Sequence, residues 1–125
     1  MIRLLPFLLC LFALASLAPA AGSPLRPRDE KLRVVATLPD LADLARAIGG
    51  DRIEVETLAR PGQNLHAVRV KPSHLVALSK ADLFLQVGLS LEHAWVPGLI
   101  QTARNREVLP GTDGFVSAGE GFTMI

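Results

Sequence analysis

Cysteine and aromatic residues are scarce in this sequence, and their scarcity excludes several kinds of protein. The 125 residues include one cysteine, and 5% of them are aromatic. Cys10 lies in an amino-terminal apolar run that we expect to be removed, so the remainder can form neither a disulfide framework nor a cysteine-ligated zinc site. The formal net charge is +1, and the sequence has no basic cluster or aromatic stacking platform. We therefore expect no nucleic-acid partner.

Motifs of catalysis and nucleotide binding are also lacking. The sequence has no Gly-x-Ser-x-Gly elbow and no phosphate-binding loop, and its carboxyl-terminal glycines do not follow a strand with the spacing of a dinucleotide-binding fingerprint. An α/β enzyme needs an activated nucleophile or a convergent acid–base pair. The missing motifs therefore argue against an enzyme.

Residues 1–21 have the organisation of a secretory signal peptide. Arg3 provides a positive charge, and the uncharged apolar run at 4–17 is shorter than the ~20 residues that a membrane-spanning helix needs. The small residues of Ala18-Pro19-Ala20 have the spacing that signal peptidase reads. We predict cleavage before Ala21 or one or two residues later. A buried core helix is the alternative interpretation of the apolar run.

Localisation follows from this segment. Small residues do not precede Cys10, so we expect no lipid attachment there and a soluble mature protein in the periplasm or its equivalent.

Residues 22–32 are rich in proline and charge, which predicts a flexible lead-in. A single lobe at 33–125 is expected to follow.

Strand and helix patterns alternate along this lobe. Val34-Val35-Ala36 predicts a strand, and a helix from Pro39 follows. The helix is predicted to bury one face, because four apolar residues have i, i+3, i+4, i+7 spacing: Leu41, Leu44, Ala45 and Ile48. Further strands are predicted at 53–58, 83–87 and 106–109, and further helices from Pro72 and over 91–103. Residues beyond Pro110 have no clear pattern.

This order of elements predicts the fold class. Alternating strands and helices build an α/β lobe, here with a roughly four-stranded parallel sheet flanked by helices. Ligands of such sheets bind beyond the carboxyl ends of the strands. The loop at 59–66, which ends at His66, follows the second strand at one of these ends.

Six short segments between residues 33 and 119 carry a family resemblance through their order and spacing. The segments are 34–42, 48–55, Gly62-Gln63-Asn64-Leu65-His66, 71–73, 80–83 and 88–92, and no single one is decisive. Together they resemble the amino-terminal lobe of the zinc- and manganese-binding receptors of bacterial ABC importers. The chain is most similar to the zinc-type branch, in which a Trp follows the Gly-Leu-x-Leu-Glu segment as Trp95 does here.

The resemblance implies a function and one ligand. Receptors of this family capture a divalent ion outside the inner membrane and deliver it to a permease, so the implied partners are Zn²⁺, with Mn²⁺ as the alternative, and an ABC importer permease. The implied metal ligand is His66. At position 65 the family usually has Pro, and this chain has Leu65.

The family's receptors have two lobes joined by a long helix, and their other ligands lie beyond the region that resembles this chain. We therefore expect half of a two-lobe receptor, truncated after its first lobe. The alternative is a free-standing periplasmic α/β binding or interaction module without tight metal binding.

The two other histidines are interpreted differently from His66. His74 lies toward the apolar side of a predicted helix, which favours packing over ligation. His93 lies at a predicted helix start, which favours a solvated helix end. Since no two histidines form a His-x-x-x-His pair, the sequence predicts no complete metal site.

Overall fold

A computed structural model describes residues 30–123, so the predicted signal peptide and most of the lead-in lie outside the described residues. Four strands form one parallel sheet in the order β2-β1-β3-β4: β1 (Leu32–Ala36), β2 (Ile53–Thr57), β3 (Leu83–Gln86) and β4 (Phe115–Ser117). Three helices connect them: α1 (Pro39–Gly49), α2 (Pro72–Ser79) and α3 (Val96–Ala103). The predicted parallel α/β lobe is confirmed. Between residues 30 and 123, no helix has the length and apolar character that crossing a membrane requires.

The strand order determines where the helices lie. The chain moves from β1 to β2 on one side and then crosses to β3 and β4 on the other. Since parallel crossovers are right-handed, α1 covers one face of the sheet, whereas α2 and α3 cover the opposite face. The loops after β1 and β3 leave in opposite directions, which makes the gap between these strands the topological switch point of the sheet.

The hydrophobic core lies between the sheet and the pair α2 and α3. Phe84 of β3 and Val35 of β1 pack there against Leu78 of α2 and Leu99 of α3, and all four side chains are buried. Both helices begin with a proline in the first turn, where the missing N–H is not needed. Pro97 lies in the first turn of α3, where it is tolerated.

The face covered by α1 is different. Leu44 and Ile48 are 59% and 83% exposed, so the prediction that they belong to a buried helix face was wrong. The reason is that α1 is the one helix that the described residues place on this face, and it does not span four strands. It leaves an open groove of about 330 Å³, the α1 groove, lined by apolar side chains that include Leu44, Ile48, Ile53, Leu85 and Val116.

The fourth strand was predicted in the wrong place. Residues Arg106–Val108 form a 3₁₀ turn instead of a strand. The turn forms because the Asn105 side chain accepts a hydrogen bond from the Glu107 N–H at 3.0 Å and donates to the carbonyls of Leu78 and Ala81. The true β4 follows Gly114, where a Cβ would come within 2.2 Å of the Glu107 carbonyl oxygen.

Candidate metal site

The carboxyl edge of the sheet brings together loops from three strands. Thr37 directly follows β1, His66 lies in the loop after β2, and Glu92 and His93 lie in the turn between β3 and α3. β2 and β3 are the two neighbours of β1, so their loops flank the same end of the central strand. This edge is where a ligand of a parallel sheet is expected.

Glu92 holds this edge together from inside. Its side chain is 2% exposed, and Oε1 accepts hydrogen bonds from Thr37 Oγ1 and from the Val87 N–H, both at 2.8 Å. Oε2 accepts from the Gly88 N–H at 3.0 Å. Because a buried carboxylate needs such partners, these three donors fix the turn after β3 to the end of β1. Glu92 therefore has a structural role, and its oxygens face inward.

His66 is exposed in a short 3₁₀ turn, Leu65–Ala67. Its backbone N–H donates to Asn64 Oδ1 at 3.0 Å, and the indole Nε1 of Trp95 donates to the Leu65 carbonyl at 2.7 Å. The turn is thus held on both sides of His66. These two hydrogen bonds restrain the loop at Leu65 and His66.

His93 lies beside His66. The ring centroids are 6.0 Å apart, and the ring planes meet at 65° in an edge-on arrangement. His93 Nδ1 is 2.5 Å from the Ser90 carbonyl oxygen. The predicted exposure of His93 is confirmed, but its proximity to His66 was not predicted. Both histidines follow strands that flank the same central strand, but the sequence did not predict this strand order.

His74 is separate from this edge. It is 6% exposed on α2, and its Nδ1 accepts a hydrogen bond from the Lys71 N–H at 3.3 Å. Burial lowers the pKa of His74, the Lys71 charge lowers it further, and Glu56 opposes both. The neutral ring is buried and accepts a hydrogen bond through Nδ1, so it is not available as a metal ligand. The prediction of a packing role is confirmed.

The residues at the edge can supply imidazole nitrogens to an ion but not a full coordination shell. Within residues 30–123, no group of three or more His, Cys, Asp or Glu side chains is arranged to hold a metal ion. Structural and transport zinc sites use about four ligands. The described residues therefore do not form a complete zinc site by themselves.

The exposed imidazoles thus lie at the carboxyl edge of the sheet, where ligands of parallel α/β sheets bind. The chain belongs to the ZnuA family, described as zinc-uptake complex component A, periplasmic, whose sequence profile matches residues 34–122.

Curated relatives include transport proteins for different metals. The manganese ABC transporter substrate-binding lipoprotein PsaA of Streptococcus pneumoniae is 33% identical over 114 residues, which is 86% of this chain and 36% of PsaA. The iron ABC transporter substrate-binding lipoprotein MtsA of Streptococcus pyogenes serotype M1 is 32% identical over 93 residues, which is 70% of this chain and 30% of MtsA. The chain thus spans about a third of the length of the curated relatives it matches.

Solved structures support the same assignment. A crystal structure of ZnuA superposes with a TM-score of 0.56 at 28% identity, covering 61% of this chain and 30% of that one. A manganese-bound periplasmic metal binding protein from Candidatus Liberibacter asiaticus gives a TM-score of 0.60 at 25% identity, covering 77% and 33%. The family therefore comprises metal-binding substrate-binding proteins of ABC importers. These relatives are transporter components, in agreement with the lack of catalytic motifs.

Proposed function

We propose that this chain forms the amino-terminal lobe of an extracytoplasmic receptor that captures a divalent metal ion for an ABC importer. Zinc is the first candidate for this ion. The observation that carries the proposal is the position of His66: an exposed imidazole at the carboxyl edge of the sheet, in a turn held by Asn64 and Trp95. His66 is the proposed ligand, and the permease of the importer is the proposed partner.

The chemistry of the edge supports zinc over manganese. Imidazole nitrogen suits Zn²⁺, whereas Mn²⁺ is better served by carboxylate and carbonyl oxygens. The edge presents the imidazoles of His66 and His93 to solvent, and the neighbouring Glu92 carboxylate is turned inward. Manganese is the second candidate, because a curated relative named for manganese is 33% identical to this chain.

In this proposal, tight zinc binding needs more metal ligands than the described residues supply. Tight zinc binding needs several donors that are held in place and deprotonated. The relatives are about three times as long as the part that this chain matches. We therefore expect the chain alone to bind zinc orders of magnitude more weakly than a complete receptor.

Chelator competition tests the role of His66. The samples are the purified chain, a fusion of this chain to the carboxyl-terminal part of a ZnuA relative, and the fusion with His66→Ala. We expect tight zinc binding in the fusion and loss of most of that gain in His66→Ala. His74→Phe is the matched control, because it removes a buried imidazole away from the edge. Unchanged affinity in His66→Ala would remove His66 as a ligand, and manganese displacing zinc in the fusion would reverse the ion preference.

Export is part of the proposal. The predicted cleavage site motivates a mature chain that begins at or near Ala21, and intact-mass measurement on the exported protein tests it. A mass that retains residues 1–20 would contradict cleavage.

The α1 groove is the specific observation that favours the second candidate function, an interaction module without tight metal binding. A contiguous apolar surface of this kind commonly marks a protein contact. That function would be supported if the fusion also failed to bind zinc tightly.

A further inference from the structure

The His66 and His93 rings form a pair at the carboxyl edge of the sheet, and both are exposed. We propose that His93 is a second metal-binding side chain and that the two imidazoles bind one divalent transition-metal ion together. This inference rests on the proposed function for the nature of the ion, and it adds a ligand that the sequence pattern did not indicate.

The geometry of the pair is compatible with a shared ion. An ion bound by imidazole lies close to the plane of the ring, so two parallel stacked rings cannot share one. Planes that meet at 65°, as these do, intersect along a line on which one ion can lie in both. Zn–N distances of 2.0–2.1 Å with tetrahedral angles place two bound ring centres about 5 Å apart. The observed separation is 6.0 Å, so a shared ion requires the two exposed side chains to rotate and bring their centres about 1 Å closer.

The tautomer of His93 is also suited to metal binding. The Ser90 carbonyl oxygen beside Nδ1 can only accept a hydrogen bond, so Nδ1 carries the proton and donates it. The lone pair of the neutral ring is then on Nε2. Histidines that bind metals almost always donate their other ring N–H to a carbonyl or carboxylate in this way.

Buried side chains fix the relative position of the two segments that carry His66 and His93. Trp95 is 6% exposed, lies two residues after His93 and donates to the carbonyl of Leu65, the residue before His66. Glu92, directly before His93, is anchored by the three donors described above. Because the backbone at both histidines is fixed, ion binding orders only two side chains, which limits its entropic cost.

A double-mutant cycle on the purified chain tests the pair. Zn²⁺ affinity and stoichiometry are measured by calorimetry for the wild type, His66→Ala, His93→Ala and the double variant, with His74→Phe as the control. If both rings bind one ion, each single variant loses about tenfold or more in affinity, since the second ligand no longer adds to the first. The double variant then loses little beyond either single one. The expected wild-type stoichiometry is one ion per chain. Far-UV circular dichroism checks that each variant is folded.

Two outcomes would overturn the pair. One is unchanged affinity in His93→Ala, and the other is two ions per chain with additive losses, which would show two independent sites. The fusion to a relative's carboxyl-terminal part separates this result from the proposed function. Suppose that His66→Ala abolishes tight zinc binding in the fusion while the double-mutant cycle shows no coupling between His66 and His93. The receptor proposal is then supported, and the shared site of the two histidines is refuted. If His66→Ala has no effect in the fusion, the receptor proposal falls, and the cycle on the chain alone still decides the pair.

Discussion

The two faces of the sheet differ in how completely they are covered. Phe84 points to the face packed by α2 and α3 and is fully buried, as are Leu78 and Leu99 opposite it. On the other face, Leu44 and Ile48 of α1 border an open apolar groove. Parallel sheets are ordinarily covered on both faces. The difference indicates that the described residues draw their stability mainly from one face.

The comparison also separates two kinds of apolar surface. Side chains on the covered face contribute to folding because folding removes them from water. Leu44 and Ile48 at the α1 groove remain largely in contact with water, so their removal costs the lobe little. They can contribute only when another surface covers them, which makes the groove a site of association.

The largest expected effect is on the covered face. Phe84→Ala removes a fully buried ring of β3 that packs against α2 and α3, and large-to-small core substitutions of this kind cost about 3–5 kcal/mol. Chemical denaturation of the wild type and the variant measures the change in the free energy of unfolding.

The matched control is Ile48→Ala on the other face. Its side chain is 83% exposed, so we expect a change within about 0.5 kcal/mol. Comparable losses of stability in Phe84→Ala and Ile48→Ala would show that the α1 groove is closed in solution. The contrast between the two faces of the sheet would then be wrong.

The next effect concerns association. Exposed apolar patches promote self-association, so we expect a concentration-dependent oligomer. Leu44→Glu with Ile48→Glu should weaken dimer formation about tenfold or more, or about 1.4 kcal/mol, because charges would be buried in the contact. Sedimentation velocity over a concentration series measures this. A monodisperse wild-type monomer with a concentration-independent melting transition would instead favour a free-standing domain.

Local patterns predicted most of the fold, and tertiary contacts explain the exceptions. The first three strands and all three helices were predicted because their periodicity and their Pro and Gly signals are local, as at Gly50, which ends α1 with a φ of 53°. The start of α3 was predicted too early, because residues 91–95 form turns and the helix begins at Val96. β4 was missed because Phe115–Ser117 has three residues and is defined by pairing with β3. The spacing of Leu44 and Ile48 correctly indicates a helix face, but spacing does not say whether anything covers that face.

The candidate site also has one part that the sequence predicted and one part that it did not. His66 was proposed from a sequence motif, so its position after β2 could be anticipated. The approach of His93 depends on Leu89 and Ser90, which adopt left-handed conformations with φ of 53° and 65°, and on the indole of Trp95. Non-glycine residues rarely adopt this conformation, and neither feature has a periodic signal in the sequence. The pairing could therefore be found only in three dimensions.

The smallest expected effect is a pH dependence that originates in α2, on the covered side of the sheet. Burial lowers the pKa of His74 below its ordinary value of 6.5, and the neutral ring accepts the Lys71 N–H through Nδ1. As pH falls below about 6.5, the unfolded chain takes up a proton at this residue and the folded chain does not. Stability contributed above pH 6.5 is therefore lost progressively between 6.5 and the lowered folded pKa, with a slope of at most about 1.4 kcal/mol per pH unit.

His74→Phe isolates this contribution, because it removes the titrating ring and leaves His66 and His93 at the exposed edge unchanged. Denaturation midpoints between about pH 5.5 and 7.5 should fall with decreasing pH more steeply in the wild type than in His74→Phe. The slope is the useful quantity, since the absolute stability also changes when the Lys71 N–H loses its acceptor. Equal slopes would mean that His74 is protonated as easily in the folded chain as in the unfolded one. In that case the covering of the sheet by α2 would be looser around His74 than around Phe84, and the contrast between the two faces would be smaller than the structure indicates.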